Sequence, residues 1–339
     1  MAAGLRCLAG DVVSRWGRTG SSLDGRGHLP AALDILYIAG FTRSGSTLLD
    51  RLLGQVPGLR SLGEMRNIWS RGFVDDELCG CGQRFSACPF WRDVAVAGNV
   101  PVDAAERAAI AGRAARLDRT RNVPLLLATG PSRPPLRRAE HLARLGDLYR
   151  AVAGVSGCAW LVDSSKQASY AAVLTEVPGL RLHVVHLIRD SRAVAHSWSR
   201  PKRRADTGRE GELMPLVSAR RAAVRWSYHN FAVELMARRA ETRQRVRYED
   251  LVVEPERVLR FVLLGAGAPA PPSFDFLSDD GAELAPAHTV SGNPIRLGTG
   301  PTPMRLDDEW ATAMPGRDAR AVSSLTSPLL RRYGYRVRP

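Results

Sequence analysis

The sequence predicts an α/β protein: a P-loop-containing, three-layer α/β/α fold around a central, mainly parallel sheet. Two observations carry this expectation. Four short apolar runs each empty into polar residues and then into a segment of helical spacing, an alternation that implies a parallel sheet covered on both faces. Between the first run and its helix stands "GFTRSGST", residues 40–47. Its glycines have the spacing of a phosphate-binding loop, but Ser46 occupies the place where a nucleoside triphosphatase carries its lysine.

In chain order, residues 1–33 have no convincing periodicity and are rich in Gly, Ser and Arg, so they read as a flexible extension. A single domain is expected over 34–339, with helical and cysteine-containing insertions at about 72–153. "DILYIAGF" is an apolar run ending in glycine, which fits a buried parallel strand, and "STLLDRLLGQVPG" is a helix with a Gly-Pro stop. Residues 101–120 and 136–153 have helical spacing, separated by "RNVPLLLATGPSRPP", read as a lid or insertion. "CAWLVDSSK" is the second strand and "QASYAAVLTEV" its helix; "LRLHVVHLIRD" is the third, followed by the helix "SRAVAHSWS". A charged loop over 201–212 precedes a long helix over 214–241, then "QRVRYEDL" as a fourth strand and "EPERVLRFVLLGAG" as a helix.

Composition excludes several classes. Hydrophobic content of 45% with 24% charged residues in 339 is that of a globular chain able to bury a full core. No run approaches the roughly 18 consecutive apolar residues of a membrane helix, and the N-terminus lacks a secretory pattern, so a cytoplasmic protein with no integral membrane segment is expected. The net charge of +14 is almost entirely arginine, which points to coding bias rather than to a nucleic-acid partner. Only Lys166 and Lys202 are lysines among the 48 basic residues, so a lysine here stands where arginine does not serve. Cys79, Cys81 and Cys88 form C-x-C-x6-C without a fourth ligand nearby in sequence, so no metal is expected and the loop reads as tied by packing or a disulfide.

Ligands of open parallel sheets bind outside the carboxyl ends of the strands. That rule gathers residues 40–47, 163–166, 189–197 and 248–250 into one place. A loop without the Walker lysine suits a 5′-phosphate carrying one further group better than a triphosphate. Backbone N–H groups, the hydroxyls of Ser44, Ser46 and Thr47 around Gly45, and the Arg43 cation would hold it. Arg189 at a strand end and Ser197 eight residues on can converge on a second phosphate. Two phosphate sites of this kind describe 3′-phosphoadenosine 5′-phosphosulfate.

On these residues the chain resembles the sulfotransferase family. "FTRSGSTLLDRLL" is similar to the family's 5′-phosphosulfate loop, in the Arg-containing form of its carbohydrate, tyrosylprotein and bacterial members. "IRDSRAVAHS" resembles its 3′-phosphate motif, with Ser191 in place of the usual proline. "VRYEDLV" resembles a strand end that places Tyr248 near the nucleotide, and "HTVSGNPIR" a late loop that would bring Arg296 as a further phosphate ligand. The resemblance spans roughly residues 34–335 and implies transfer of a sulfuryl group to a hydroxyl-bearing acceptor, with a glycan or glycoconjugate slightly favoured.

Such a transfer needs a base and a cation, and no metal, because the leaving group is a single phosphate. Glu64 in "LRSLGEMRNIW" follows the loop's helix by a short turn and is taken as the base, as the family's "GE" segment implies; helix capping or a pair with Arg66 is the structural alternative. His186 and His288 are the rival bases. Lys166 ends the second strand and is taken as the cation bridging the sulfuryl group and the leaving oxygen, with Asp163, Ser164 and Ser165 orienting it. The rival functions are a P-loop kinase or nucleotidase, with Asp163 as a magnesium-binding acid, and a non-catalytic nucleotide-binding protein.

Overall fold

Strand β1, Leu33–Ala39, is buried along its whole length, and its two faces belong to different cores. Ile35, Tyr37 and Ala39 join one cluster with Leu161, Val184 and the helix Ala168–Leu174. Leu36 and Ile38 join the other, with Leu49, Leu52 and Leu53 of helix α1, Ser46–Leu53, and with Val258, Leu259 and Val262 of the helix Pro255–Ala266. Each of the Ile, Leu and Val side chains among them contributes about 1.5–3 kcal/mol when fully buried. A strand covered on both sides has no polar face, which is why it reads as a continuous apolar run.

The structure is a computed structural model and describes residues 32–124, 136–201 and 216–337. The expected N-terminal extension, except its last two residues, and most of the expected lid and charged loop lie outside the described residues. The main sheet has the order β2-β3-β1-β4-β5, with β2 Leu59–Ser61, β3 Trp160–Lys166, β4 Leu180–Ile188 and β5 Thr242–Arg247. All four pairings are parallel. β1 is therefore central, with β3 and β4 on either side, and the helices on both faces complete the expected three layers.

The expected helices form over Ala104–Leu117, Leu136–Ser156, Ala168–Leu174, Ser191–Ser199, Ala219–Met236 and Pro255–Ala266. Leu142, Leu145, Leu148, Tyr149 and Val152 of Leu136–Ser156 pack into the core on one face of the sheet, making this segment part of the helical layer. "QRVRYEDL" is only half strand: β5 stops at Arg247, and Tyr248–Val253 is helical. Glu249 and Asp250 stand in that helix's first turn, where the helix dipole favours acids. Among the elements without a counterpart in the sequence reading are the short edge strand β2, a small antiparallel sheet of β6 Leu277–Ser278, β7 Gly281–Leu284 and β8 Gly300–Pro303, and the helices Pro89–Ala97 and Gly316–Arg332. Among the described residues, no helix is long and apolar enough to cross a membrane.

Candidate functional site

The loop between β1 and α1 needs glycine for two separate reasons. At Gly40 an added Cβ would lie 2.2 Å from the Leu187 carbonyl oxygen of β4. Gly45 has φ +86°, and a Cβ there would meet the Tyr248 ring at 2.4 Å, so Tyr248 packs directly on the loop. Gly45 is also the N-cap of α1, and no side chain caps the first turn, so the helix presents its N-terminal dipole and N–H groups to the loop's concave side. Ser44 is buried and donates its hydroxyl to the Phe41 carbonyl at 2.5 Å, which closes the turn. Ser46 and Thr47 begin the helix.

On the β4 side of β1, the carbonyl of Arg189 accepts the Trp226 indole N–H at 3.1 Å. Its guanidinium lies 4.5 Å over the Tyr248 ring and donates to the Arg43 carbonyl at 3.2 Å. It also pairs with the Asp307 carboxylate at 2.8 Å. Arg43 lies 5.2 Å over the ring of Trp198, the neighbour of Ser197. Burial first, and then the nearby charge of Arg189, lower its pKa. Loop cation and strand-end cation thus adjoin, with Ser197 on the helix that carries Trp198. The Ser197 hydroxyl and Arg189 Nε are buried with no hydrogen-bond partner among the described residues. Two adjacent arginines and an unused buried hydroxyl suit an anion. Ser191, where the motif has proline, bonds Thr326 Oγ1 at 2.8 Å, while Asp190 caps the helix through the Arg192 N–H at 2.8 Å.

On the β3 side, Lys166 pairs with Ala39 of β1, and its carbonyl accepts the Gly40 N–H at 3.2 Å. Lys166 has φ +70° and Arg43 φ +72°, a left-handed conformation that side-chain-bearing residues adopt at a cost. The Lys166 ammonium bonds directly to Glu64 Oε1 and, at 3.3 Å, to the Ser164 carbonyl. Asn67 Nδ2 holds the other Glu64 oxygen at 2.9 Å. Glu64 does not pair with Arg66, which bonds Asp118 instead. The proposed base and cation are therefore one partly buried ion pair beside the loop.

A strap over residues 285–298 forms the wall behind this pair. The Val290 carbonyl accepts the Glu64 N–H at 2.9 Å, and Gly292 lies against Glu64, Thr47 and Arg296. The buried Arg51 of α1 clamps the strap through the carbonyls of Arg296 and Ala285, each at 2.6 Å, and of Gly298 at 3.0 Å. Arg296 differs from its expected role as a phosphate ligand. Its terminal N–H groups donate to the carbonyls of Thr289 at 3.2 Å and Leu78 at 2.7 Å, and the side chain is 1% exposed. It fastens the strap to the cysteine-containing insertion.

The rival groups are placed elsewhere. His186 is buried against Asn230 Oδ1 at 2.9 Å, and burial lowers its pKa to about 4. His288 stacks on Phe90 and turns Nδ1 to within 3.2 Å of Cys88 Sγ, which removes it from consideration as the base. Asp163 is fully buried and accepts from Ser165 and Tyr149, so its oxygens are taken up inside the protein; burial raises its pKa to about 6. The cysteine triplet does acquire a fourth candidate metal ligand, His288, two hundred residues beyond Cys88.

No family model and no curated protein matches the sequence. Among solved structures, the sulfotransferase domain from the curacin biosynthetic pathway aligns with a TM-score of 0.51 at 17% identity, covering 91% of this chain and 100% of that one. The chain has the sulfotransferase fold. The sulfotransferase domain from the Synechococcus PCC 7002 olefin synthase aligns at 18% identity and a TM-score of 0.48, covering 88% of this chain and 94% of that one. Within this sulfotransferase fold, sequence reasoning missed Asn67, Arg51 and Asp307. Asn67 stands three residues after Glu64, a spacing that places side chains together on a helical turn. Arg51 and Asp307 had no local signal, because their partners are remote in sequence.

Proposed function

We propose that the protein is a sulfotransferase that moves a sulfuryl group from 3′-phosphoadenosine 5′-phosphosulfate to an acceptor hydroxyl of a glycan, glycoconjugate or small molecule. The observation that supports it best is the grouping, at the strand ends, of the uncapped α1 N-terminus, the adjoining Arg43 and Arg189, and the Lys166–Glu64 pair, which we read as two anion stations with a base and a lysine beside one of them. At the first, the α1 N-terminus, Ser46, Thr47 and Arg43 would take the 5′-phosphosulfate. At the second, Arg189 and the unused Ser197 hydroxyl would take the 3′-phosphate, which replaces the Asp307 carboxylate on Arg189. Tyr248, between the Arg189 guanidinium and Gly45, links the two.

In the transfer, the bond from sulfur to the 5′-phosphate oxygen breaks as a bond to the acceptor oxygen forms. The acceptor proton passes to Glu64, and the bisphosphate departs carrying the electron pair. Lys166 offsets the charge that grows on the leaving oxygen, while Asn67 fixes the Glu64 carboxylate. Neither the Lys166–Glu64 pair nor the occupied Asp163 favours a magnesium-dependent kinase. Calorimetry with 3′-phosphoadenosine 5′-phosphate, AMP and ATP tests the reading. The bisphosphate is expected to bind most tightly, since only it fills the Arg189 station. Equal affinities for AMP and the bisphosphate would overturn it.

A further inference from the structure

The cysteine-containing insertion and the start of the strap meet at Cys79, Cys81, Cys88 and His288. Their three sulfurs and one ring nitrogen all lie within 4.8 Å of one another. Cys81 and Cys88 are 3.8 Å apart, sulfur to sulfur, and none of the three cysteines is in a disulfide. His288 Nδ1 is 3.2 Å from Cys88 Sγ and 3.8 Å from Cys79 Sγ. A tetrahedron with zinc–sulfur bonds of about 2.3 Å and a zinc–nitrogen bond of about 2.0–2.1 Å has edges of roughly 3.5–3.8 Å. The measured separations straddle those edges.

We propose that these four residues bind one structural zinc ion, independently of the transfer site. The donor set is chemically specific: three sulfurs, soft ligands as thiolates, and one imidazole in a compact cluster select zinc over oxygen-seeking cations. Four protein ligands leave no open position, so the ion is structural and not catalytic. The backbone is shaped for the purpose. The Cys79 N–H donates to the Gln83 carbonyl at 2.8 Å and the Gly82 N–H to the Cys79 carbonyl at 2.9 Å, folding the C-x-C segment into a tight knuckle. Gly80 in that knuckle has no room for a side chain, since a Cβ would meet Thr289 Oγ1 at 2.3 Å. Phe90 stacks on the His288 ring with centroids 5.2 Å apart, fixing its orientation.

The charge also balances. Zinc with three thiolates and a neutral imidazole carries a net negative charge, and the half-buried Arg60 guanidinium lies over Phe90 at 4.5 Å, close enough to feel Cys79 and Cys88. Its Nε has no hydrogen-bond partner among the described residues. A partly desolvated cation with an unpaired buried Nε is costly alone, and an anionic centre beside it offsets that cost. The ion would fasten the insertion to the residue that precedes Thr289 and Val290, and Val290 carries the hydrogen bond to the Glu64 N–H.

The test is metal analysis of the full-length protein, purified under reducing conditions and exposed to excess chelator. About one zinc per chain is expected to remain. Replacement by cobalt is expected to give the visible absorption of a tetrahedral site together with thiolate charge-transfer bands. The double variant Cys81→Ser, His288→Ala should bind zinc at least about tenfold more weakly, the low end of what even outer-shell changes cost. The cobalt spectrum of the unaltered protein stands whether or not that variant folds. Protein that takes up neither zinc nor cobalt, a folded double variant that keeps its zinc, or a Cys81–Cys88 disulfide in anaerobically prepared material would each overturn the proposal.

Discussion

Lys166 combines three properties at one residue: it is one of two lysines, it holds a left-handed backbone conformation, and it reaches the Glu64 carboxylate. A solvated surface cation needs none of them. Its side chain is 9% exposed, and a planar guanidinium would present its donors in a different geometry from the ammonium that meets Glu64. Lys166→Arg keeps the charge but moves the donors, and a displacement of about 1 Å can cost roughly a hundredfold in rate. Single-turnover transfer is therefore expected to fall by about that factor, with nucleotide affinity and melting temperature little changed; undiminished turnover would place the cation at Arg43 instead. Glu64→Gln preserves the side chain's shape but leaves one acceptor oxygen where Lys166 and Asn67 use two, and it removes the base. Turnover should drop by about 10²–10⁴-fold, the range for general-base catalysis, while the bisphosphate binds nearly as before. Full turnover in that variant would exclude Glu64 as the proton acceptor.

At the scale of elements, the site is made by strand ends, and those were the legible part of the sequence. β1, β3 and β4 are buried nearly throughout, so each reads as an apolar run, and the sheet rule puts Lys166 beside the loop, where it pairs with Ala39. β2 has only three residues and β6 only two, too few for a period to register. The strap was legible as a motif, but the direction of Arg296 was not, because its partner carbonyls at Thr289 and Leu78 are set by tertiary packing. His288 was likewise invisible as a partner of the cysteines, since the chain that brings it there is two hundred residues long. The loop itself can be tested through two glycines with nearly equal φ. Gly58 has φ +85° and nothing within 4 Å of an added Cβ, whereas Gly45 has φ +86° and meets Tyr248. Gly58→Ala should therefore cost only the backbone strain, about 1–2 kcal/mol. Gly45→Ala should cost more and should also weaken bisphosphate binding, because it displaces the ring that lies under Arg189. Melting and calorimetry on both variants separate strain from displacement; unchanged nucleotide affinity in Gly45→Ala would detach Tyr248 from the site.

Across the whole molecule, buried ionisable groups couple the fold to pH in opposite directions. Burial raises the pKa of Asp50 on α1 from 3.8 to about 7, with the Ser61 hydrogen bond only partly opposing it. His229, whose ring bonds the Lys166 carbonyl at 3.2 Å, is held at about 4 by burial. The folded state thus keeps a proton on Asp50 that the unfolded chain releases above about pH 4, so the stability contributed by Asp50 is lost as pH rises from about 4 to 7. For His229 the unfolded chain takes up the proton first, so its contribution is present above about pH 6.5 and is lost as pH falls towards 4. Comparing each variant with the unaltered protein cancels every other titration. Asp50→Asn should gain stability relative to the parent as pH rises through that window, by about 1.4 kcal/mol per pH unit at most, and the difference should level off above about pH 7. His229→Gln should show the opposite trend, gaining on the parent as pH falls from about 6.5 to 4. Denaturant melts of the three proteins between pH 4 and 8 provide the measurement. A pH-independent difference for Asp50→Asn would mean that the carboxyl is as well solvated in the folded protein as in the unfolded chain, contrary to its burial between α1 and Ser61 of the edge strand.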